Sequence, residues 1–471
     1  MTTNLTNHTN DSGYMKKSLK DIKTVSTSHD VGLKRVLLAA NESGCSLTQI
    51  AVTDLKAGEV AQAHIHPDMQ EGFYVLDGDL DVRMDDELLH CTKDDFVYVK
   101  SCTSHELKAI TDVRIMTIGC VIESQRSKLY PFLFEPNLHE VVWGGKKLTA
   151  WKGLTAKDHI GESWEVSCVE HSPSVIANGA WTGCTLNEVI DMHPEAILGR
   201  EVCRRYNGKL PLLVKFIDAK ADLSIQVHPD DEMAARLHEK NGKSEMWYVL
   251  DAEPGAYLYS GFKEKLSPEV YKRKVADGTI VDSLAKHEVK AGDVFYLPAG
   301  RVHAICSGIL LAEVQQSSDV TYRIYDYNRL GLDGKPRELH TEQAAEALNY
   351  QVEDEYRTAY SAGYNRANSV IDSPYFSVRV TGFSGTFHRN LIKYDSFVIS
   401  MCLKGDCKIK IRSTGDEVVL YEGYSCLIPA AIADYDVTPL SARSKVLDAY
   451  INNMDRSLMH KVSRFLHIST K

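Results

Sequence analysis

The first candidate site pairs two histidines in the segment QAHIHPDMQE. His64, His66 and Glu71 follow the spacing HxH-x4-E. Side chains two apart on a strand project to the same side, so the two imidazoles face one interior, with Glu71 on the next strand opposite them. His105 can close the set, and imidazoles with one carboxylate suit a divalent transition metal such as Zn, Mn, Fe or Ni. The alternative is a fold that keeps its histidines without doing chemistry.

The second candidate site repeats this device in LSIQVHPDDE, with Gln226 in place of the first histidine and His228 after it. Glu245 follows on the next predicted strand, and His303 lies near the end of AGDVFYLPAGRVHAI. Mixed nitrogen and oxygen ligands differ from the cysteine-rich closed sites of structural zinc, and they leave room for water or a sugar hydroxyl. The alternative is a pair of core histidines with backbone hydrogen bonds. Three ligand types on separate strands favour the metal site.

A third segment has the same layout without the ligands. No His-x-His pair precedes KGDCKI, and in LIPAAIADYDV the residues Pro429 and Ala431 keep the loop while Asp434 stands at the histidine position. This repeat is therefore predicted to be structural, to pack on the central repeat and to help shape its pocket.

Strand-like segments dominate the chain around these motifs. Short β-branched or aromatic runs such as YFSVRV and DVFYLPAG are broken by Gly, Asp and Pro. Helix signals are few: Ser267 before Pro268 predicts one start, Asp230 a second and Thr341 a third. The pattern predicts a mainly β fold of three jelly-roll barrels with a few helical insertions, one barrel for each repeat.

Length and charge restrict the classes of function. The chain has 471 residues, 44% of them hydrophobic and 25% charged, with a net charge of −10. These values fit two to four globular domains and argue against nucleic-acid binding. There is no apolar run of roughly 18 residues and no secretion-signal segment, so we expect a cytoplasmic protein without a membrane partner. The 11 scattered cysteines predict reduced, mostly buried thiols.

The predicted organisation has four parts. Residues 1–14 are predicted to be a disordered tail, 15–125 an N-terminal barrel, 126–350 a central barrel with helical insertions, and 351–471 a degenerate C-terminal barrel. The motif spacings resemble the cupin superfamily, whose fold is a double-stranded β-helix, or jelly-roll, barrel. The second repeat has the family pattern G-x5-PxG-xx-H in full, whereas the first repeat keeps only its final His105.

The central repeat also resembles the type I, zinc-dependent phosphomannose isomerases in their short bacterial form. LSIQVHPDD resembles the family signature, and other segments follow in family order over about residues 127–450. These segments are YPFLFEPNLHEVVWGGKKL, IGESWEVS, PLLVKFIDAKADLSIQVHPDD, GKSEMWYVL, AGDVFYLPAGRVHAI and LLAEVQQSSDVTYRIYDYNR. The N-terminal repeat lies outside this resemblance, as a fused domain.

The resemblance implies roles for individual residues. The four residues that match its zinc ligands are Gln226, His228, Glu245 and His303. Arg323 matches an active-site arginine, Lys215 a pocket lysine, and Ser224 a serine near the substrate phosphate. The residues that match groups proposed in acid–base and proton-transfer roles are Lys243, Glu313 and Asp319. The sequence does not rank these three as the base, and a surface cation at Lys243 or a turn residue at Asp319 is the plainer interpretation.

The chemistry implied is an aldose–ketose isomerisation. Moving a proton between C1 and C2 through an enediol needs a base, a proton donor and positive charge. Zinc can polarise the sugar oxygens, and Arg323 and Lys215 can neutralise the phosphate or the enediolate. The resemblance implies interconversion of mannose 6-phosphate and fructose 6-phosphate, with Zn²⁺ as cofactor and a sugar phosphate as the binding partner.

Two alternatives stay open. The same fold could act on another sugar phosphate, because SSDVTYRIYDYNR departs from the long forms of the family. The N-terminal repeat could instead be a sugar-sensing regulator, mediate a homodimer, or catalyse a separate step, with or without a second divalent metal.

Overall fold

The computed structural model describes residues 16–27, 31–39, 42, 47–66, 69–85, 87–101, 103–121 and 129–453. The chain divides into two compact units, Met1–Lys128 and Leu129–Lys471. The predicted tail at 1–14 lies outside the described residues. Both units are mainly β, which confirms the predicted fold class.

The first unit is built from short strands, which follow the 3-10 turn Leu19–Asp21. Its described strands are β1 (Val25–Ser26), β2 (Leu33–Ala39), β3 (Leu47–Leu55), β4 (Val60–His64), β5 (Met69–Asp77), β6 (Leu80–Met84), β7 (Glu87–Cys91), β8 (Phe96–Val99), β9 (His105–Ala109) and β10 (Val113–Val121).

Two sheets of the first unit enclose its core. One has the order β1-β2-β3-β10-β5-β8 and the other β4-β9-β6-β7. Along β5 and β8, Phe73, Val75, Val97 and Val99 alternate into a common apolar cluster, as strands with one buried face require. The pairing of β4 with β9 sets His64 opposite His105.

The second unit carries the remaining described strands. They are β11 (Phe132–Leu133), β12 (Leu138–Gly145), β13 (Ile160–Val166), β14 (Leu212–Ala219), β15 (Ile225–Val227), β16 (Glu245–Ala252), β17 (Tyr257–Phe262), β18 (Leu284–Glu288), β19 (Val294–Leu297), β20 (His303–Ile305), β21 (Ile309–Gln316), β22 (Tyr322–Tyr325), β23 (Arg366–Asp372), β24 (Ser377–Phe383), β25 (Phe387–Asn390), β26 (Val398–Lys404), β27 (Cys407–Ile411), β28 (Glu417–Leu420), β29 (Ser425–Ile428), β30 (Asp434–Pro439) and β31 (Ser444–Tyr450).

Helices in the second unit lie between these strands. The described ones are α1 (Lys147–Trp151), α2 (Leu186–Met192), α3 (Pro194–Leu198), α4 (Arg200–Arg205), α5 (Asp231–His238), α6 (Pro268–Ala276) and α7 (Thr341–Ala347), with 3-10 turns at Gly179–Trp181, Ile280–Ser283, Ile392–Tyr394 and Ala430–Ile432. Two predicted starts are confirmed, since the Asp230 and Ser267 side chains cap α5 and α6. The third was wrong by one residue, because His340 is the N-cap and Thr341 is already helical.

Two pairs of sheets organise the second unit. The central pair has the orders β12-β13-β14-β21-β16-β19 and β18-β17-β20-β15-β22, and the C-terminal pair β11-β29-β26-β31-β24-β23 and β25-β30-β27-β28. Each pair encloses its own apolar cluster, which contains Trp247 and Phe295 in the central pair and Ile409 and Tyr435 in the C-terminal pair. The domain boundaries and the closure of each pair into a barrel stay predictions.

Two further expectations can be compared with the described residues. No helix among them has the length and apolar character needed to cross a bilayer. Eight cysteines have free thiols, five of them buried, as expected from the sequence. Cys184 departs from that expectation because it is disulfide-bonded.

Candidate active site

Strand pairing in the central sheets gathers the predicted ligands. Gln226 on β15 lies opposite His303 of β20 on one side and Arg323 of β22 on the other. His228 directly follows β15, and Glu245 begins β16. The ligand atoms of His228, Glu245 and His303 all lie within 4.8 Å of one another. The three side chains are buried, so they form a closed group beneath the protein surface.

The hydrogen bonds of the two histidines leave their inner nitrogens available to a cation. Nδ1 of His228 donates to the Val320 carbonyl at 2.9 Å, and Nδ1 of His303 donates to the Arg301 carbonyl at 2.8 Å. Each Nε2 therefore carries a lone pair, and these atoms lie 3.4 and 3.2 Å from the carboxylate oxygens of Glu245. Histidines oriented in this way by backbone carbonyls are typical of metal sites.

Unpaired buried atoms support the same interpretation. Nε2 of His228 and both carboxylate oxygens of Glu245 are buried and make no hydrogen bond, although Lys243 forms an ion pair with one of the two oxygens. Such atoms are costly in a folded protein unless a cation or another partner satisfies them. The Gln226 side-chain amide reaches Nε2 of His303 at 3.3 Å. Because amide oxygen and nitrogen can exchange places by rotation, Gln226 can present its oxygen to the same cation.

The protonation states match a metal-binding set. Burial, aided by the charge of Lys243, lowers the pKa of His228 to about 3, and burial also lowers the pKa of His303. Burial alone would raise the pKa of Glu245, but the charge of Lys243, with smaller contributions from the neighbouring imidazoles, brings it well below its ordinary value. Two neutral imidazoles and one carboxylate are the forms that bind zinc.

A cavity of about 370 Å³ opens beside these ligands. Gln226 is in its wall, and every residue predicted for catalysis or substrate binding also lines it. Those residues are Lys215, Ser224, Lys243, Glu313, Asp319 and Arg323. Polar groups gathered in a partly apolar cavity are the usual setting of a small-molecule site.

Lys215 lies between two carboxylates within the cavity wall. Its Nζ is 3.4 Å from Oε2 of Glu162 and 3.6 Å from Oε1 of Glu313. Each carboxylate also accepts an indole hydrogen bond, from Trp164 for Glu162 and from Trp247 for Glu313. Burial lowers the pKa of Lys215, but the two carboxylates raise it more, so the lysine stays charged.

Glu313 has the perturbed acidity expected of a proton-transfer group. Burial, together with the charge of Glu245, raises its pKa above the ordinary value, against the opposing charge of Lys215. Asp319 differs: burial raises its pKa, but the hydrogen bond and the charge of Lys240 together bring it below its ordinary value. Perturbed carboxyl groups inside cavities are candidates for acid–base roles.

Lys243 and Arg323 supply positive charge near the ligands. Nζ of Lys243 lies 3.1 Å from a carboxylate oxygen of Glu245. Arg323 donates through Nη1 to the Glu338 carbonyl at 3.0 Å, and its buried Nε has no partner. Lys243 is therefore not the surface cation of the plainer interpretation.

The first unit holds the second predicted cluster. Donor atoms of His64, His66, Glu71 and His105 lie within 4.8 Å of one another. The Glu71 carboxylate is 3.3 Å from Nε2 of His66 and 3.4 Å from Nε2 of His105. Burial opposes the shift, but the neighbouring imidazoles of His105 and His66 lower the pKa of Glu71 to about 2. As in the central site, Nδ1 of His105 contacts a backbone carbonyl and its Nε2 is buried without a partner.

Comparison with known proteins decides the family. The family described as phosphomannose isomerase type I, catalytic domain, matches residues 132–255. The chain is 36% identical over 314 residues to the probable mannose-6-phosphate isomerase GmuF of Bacillus subtilis, a match that covers 65% of this chain and 96% of that protein. The chain belongs to the type I phosphomannose isomerase family. The chain is also 33% identical over 307 residues to the mannose-6-phosphate isomerase of Streptococcus mutans. That match covers 65% of this chain and 94% of the relative.

The other comparisons agree with the family and the fold. The crystal structure of the mannose 6-phosphate isomerase from Bacillus subtilis matches with a TM-score of 0.62 and 31% identity, over 69% of this chain and 100% of that one. The cupin domain family matches residues 51–120, which contain the first cluster. The phosphomannose isomerase resemblance and the cupin resemblance are both confirmed.

The sequence did not predict several residues that line the cavity. They are Trp143, Glu162, Trp164, Trp247, Thr321, Arg337 and His340. For Glu162 and Trp164 a signal existed, because they alternate within the quoted segment IGESWEVS on one strand. For Arg337 there was none, since it lies in a polar connection without periodicity.

In the part that the structure describes, the third repeat has no ligand cluster, as predicted, but its predicted part in shaping the pocket is indirect. At the predicted histidine position, Asp434 pairs with His388 at 3.2 Å, and no metal cluster forms there among the described residues. The repeat packs on the central sheets, but none of its described residues lines the cavity. It contacts the strand β13 behind the cavity wall, where the Ser425 hydroxyl donates to Glu165.

Proposed function

We propose that the central site interconverts mannose 6-phosphate and fructose 6-phosphate with a zinc ion held by Gln226, His228, Glu245 and His303. The observation that supports this most strongly is the convergence of buried ligand atoms, three of them without a hydrogen bond, beside a cavity that contains acid–base groups. Mannose-6-phosphate isomerase activity also agrees with the names of the relatives, which this chain covers almost completely. A bound zinc ion would polarise the sugar oxygens at C1 and C2.

Glu313 is the best candidate for the base among the three that the sequence left open. Its raised pKa and its place in the cavity suit the carriage of a proton between C1 and C2. Lys215, 3.6 Å from Glu313, can neutralise the negative charge that develops on the enediolate oxygens. Lys243 is engaged with the ligand Glu245, and Asp319 with Lys240, which makes each a weaker candidate.

The test is a coupled assay of the purified protein with mannose 6-phosphate, before and after chelation, together with metal analysis. We expect chelation to abolish turnover and zinc to restore it. In His303→Ala, turnover and zinc affinity should both fall about a hundredfold or more. The matched control is His388→Ala, a histidine outside both clusters, which should keep both. Full activity in His303→Ala with the fold intact would contradict the proposal.

The alternative of another sugar phosphate is tested in the same assay. A panel of aldose and ketose phosphates should give the highest kcat/KM with mannose 6-phosphate. A higher value with another member would keep the reaction type and change the substrate.

A second divalent metal in the first unit is favoured by its own cluster. His64, His66, Glu71 and His105 bring three nitrogen ligands and one oxygen ligand together, a set that suits Zn, Mn, Fe or Ni. Full-length protein should then bind two metals per chain, and Glu71→Gln should bind one while keeping isomerase turnover. One metal per chain in the unsubstituted protein would leave the first cluster a packing feature or a metal-free sensor.

We further propose a homodimer and a cytoplasmic location. Phe96 and Tyr98, exposed on the edge strand β8, support an interface. The eight free thiols support a reducing compartment, whereas the disulfide at Cys184 does not. Sedimentation of the full chain tests the dimer, and fractionation of cells tests the location.

A further inference from the structure

The connection between β22 and α7 places additional positive charge in the cavity wall. Arg323 belongs to β22, while Arg337 and His340 lie in the connection, and all three line the cavity. Arg323 and His340 are joined by two hydrogen bonds, one between their backbones and one to the His340 side chain. The His340 amide donates to the Arg323 carbonyl at 2.8 Å, and the Arg323 amide donates to Nδ1 of His340 at 3.2 Å. These bonds hold the connection beside the strand that neighbours the ligand Gln226.

A single buried carboxylate anchors two arginines of this connection. Asp326 accepts from Nε of Arg337 at 2.6 Å and from Nε of Arg329 at 2.9 Å. The positive charges near Arg323 are those of Arg337 and Arg329, and the negative ones are those of Asp326 and the exposed Glu338. Three guanidinium groups therefore face two carboxylates, which leaves an excess positive charge at this end of the cavity.

Several hydrogen-bond donors at this end of the cavity have no acceptor among the residues that the structure describes. Nε of Arg323 is buried without a partner. Because Nδ1 of His340 accepts from a backbone amide, its ring proton is on Nε2, which makes the ring a neutral donor. Arg337 uses one edge of its planar guanidinium on Asp326 and retains N–H groups beyond that edge. Several N–H donors without acceptors, together with the excess positive charge, suit the binding of a dianionic group.

We propose that Arg337, together with Arg323, binds the phosphoryl group of the substrate, and that Asp326 positions Arg337 for this contact. The inference rests on the proposed function, because it takes the substrate to be a sugar phosphate. Arg323 lies opposite Gln226 in the strand register, so the phosphoryl site neighbours the metal site. A sugar phosphate bound this way has its phosphate on the arginines and its C1–C2 end toward the ligands.

Arg329 provides a matched control for Arg337. Both arginines pair with Asp326, but Arg329 does not line the cavity and donates instead to the Asp222 carbonyl. Loss of either arginine removes one partner of the same buried carboxylate. Only loss of Arg337 removes a donor from the cavity, so the two substitutions separate a substrate contact from a structural ion pair.

The experiment measures KM and kcat for mannose 6-phosphate and the inhibition constant of inorganic phosphate, in full-length Arg337→Met, Arg337→Lys and Arg329→Met. For Arg337→Met we expect KM and the inhibition constant to rise about tenfold or more, with kcat and bound metal changed less than about threefold. Arg337→Lys should lie between, because an ammonium cannot form the two-pronged contact. Arg329→Met should change each constant less than about threefold.

Unchanged constants in Arg337→Met, or equal changes in Arg337→Met and Arg329→Met, would overturn the proposal. If Arg337→Met does not fold, Arg337→Lys provides the test. A phosphate inhibition constant for Arg337→Lys equal to that of the unsubstituted protein would then overturn the proposal. Calorimetric titration with inorganic phosphate separates this proposal from the proposed function. If the protein has no isomerase turnover but still binds inorganic phosphate, and only the Arg337 substitutions abolish that binding, the anion site is supported and the proposed isomerase function is wrong.

Discussion

At the scale of single residues, the acidity of Glu313 yields the sharpest prediction for catalysis. Its raised pKa results from burial and from the charge of Glu245. Substituting Glu313→Gln keeps an acceptor for the Trp247 indole but removes the base. We expect kcat to fall about 10²- to 10⁴-fold, a range typical of a lost general base, with bound zinc unchanged. Steady-state kinetics and metal analysis of the same preparation check both expectations.

The control for this prediction is Asp319→Asn, which changes another carboxyl group of the same cavity. Asp319 is held by Lys240 at 2.5 Å and its pKa is lowered. We expect a much smaller effect on kcat there. A loss in Asp319→Asn that exceeds the loss in Glu313→Gln would move the role of base to Asp319.

His287 gives a residue-scale prediction for stability against pH. Burial lowers its pKa in the folded protein, although a hydrogen bond to the Ser260 carbonyl opposes the shift. The unfolded chain therefore binds an additional proton as pH falls below about 6.5, and stability decreases there. Above about 6.5 the contribution is fully present. We expect His287→Gln to reduce this loss by up to about 1 kcal/mol per pH unit.

The measurement for His287 is the free energy of unfolding in urea at about pH 7.5 and about pH 5.5, for the unsubstituted protein and the variant. Because both proteins share every other histidine, the difference between their pH slopes isolates His287. Equal slopes would mean that His287 keeps its ordinary pKa in the folded state.

At the scale of elements, strand β13 connects the cavity to the C-terminal sheets. Glu162 and Trp164 line the cavity, whereas the alternate residues Ser163 and Glu165 are buried on the other face of the strand. Glu165 forms an ion pair with Lys152 at 2.7 Å and accepts from the hydroxyl of Ser425 on β29 at 3.1 Å. The C-terminal repeat thus supports the cavity wall from behind, without lining it.

Removing one partner of this buried pair should be costly. Lys152→Met leaves the Glu165 carboxylate buried without its cation, and we expect unfolding free energy to decrease by about 3–5 kcal/mol. The control is Lys272→Met, which breaks an exposed pair with Glu342 and should cost less than about 1 kcal/mol. Urea denaturation of both variants measures the difference. Similar small losses would mean that Glu165 takes up a proton or finds water.

Elements also explain how far the sequence could predict the site. Ligand spacing predicted the central cluster because two-residue alternation and the start of the next strand are local properties. The first cluster was predictable for the same reason, even where its second motif is degraded to His105. Arg337 could not be predicted, since its place depends on Asp326 and on pairing between a loop and β22, neither of which has a periodic pattern. The C-terminal repeat lost its ligands but kept its apolar alternation, so its fold was easier to predict than its indirect contact with the cavity.

At the scale of the whole molecule, the isomerase relatives correspond to only part of the chain. The matches include nearly the full length of these relatives but only 65% of this chain. The phosphomannose isomerase match begins at residue 132, just after the boundary between the two units, and the cupin match lies within the first unit. The molecule therefore joins an isomerase unit to a second cupin unit with its own potential metal cluster.

This division predicts that residues 129–471 fold and act without the first unit. All the groups proposed for zinc, proton transfer and phosphate lie in that range, and the apolar clusters of its two sheet pairs are formed by its own residues. We expect kcat/KM for mannose 6-phosphate within about threefold of the full chain, because no proposed step uses a residue outside this range. Bound metal should fall from two ions to one. The full-length variant Glu71→Gln is the matched control, since it removes a ligand of the first cluster and keeps the first unit. If truncation lowers turnover while Glu71→Gln does not, the first unit supports the isomerase structurally. If both change turnover equally, the metal of the first unit regulates the isomerase, and the independence predicted here is wrong.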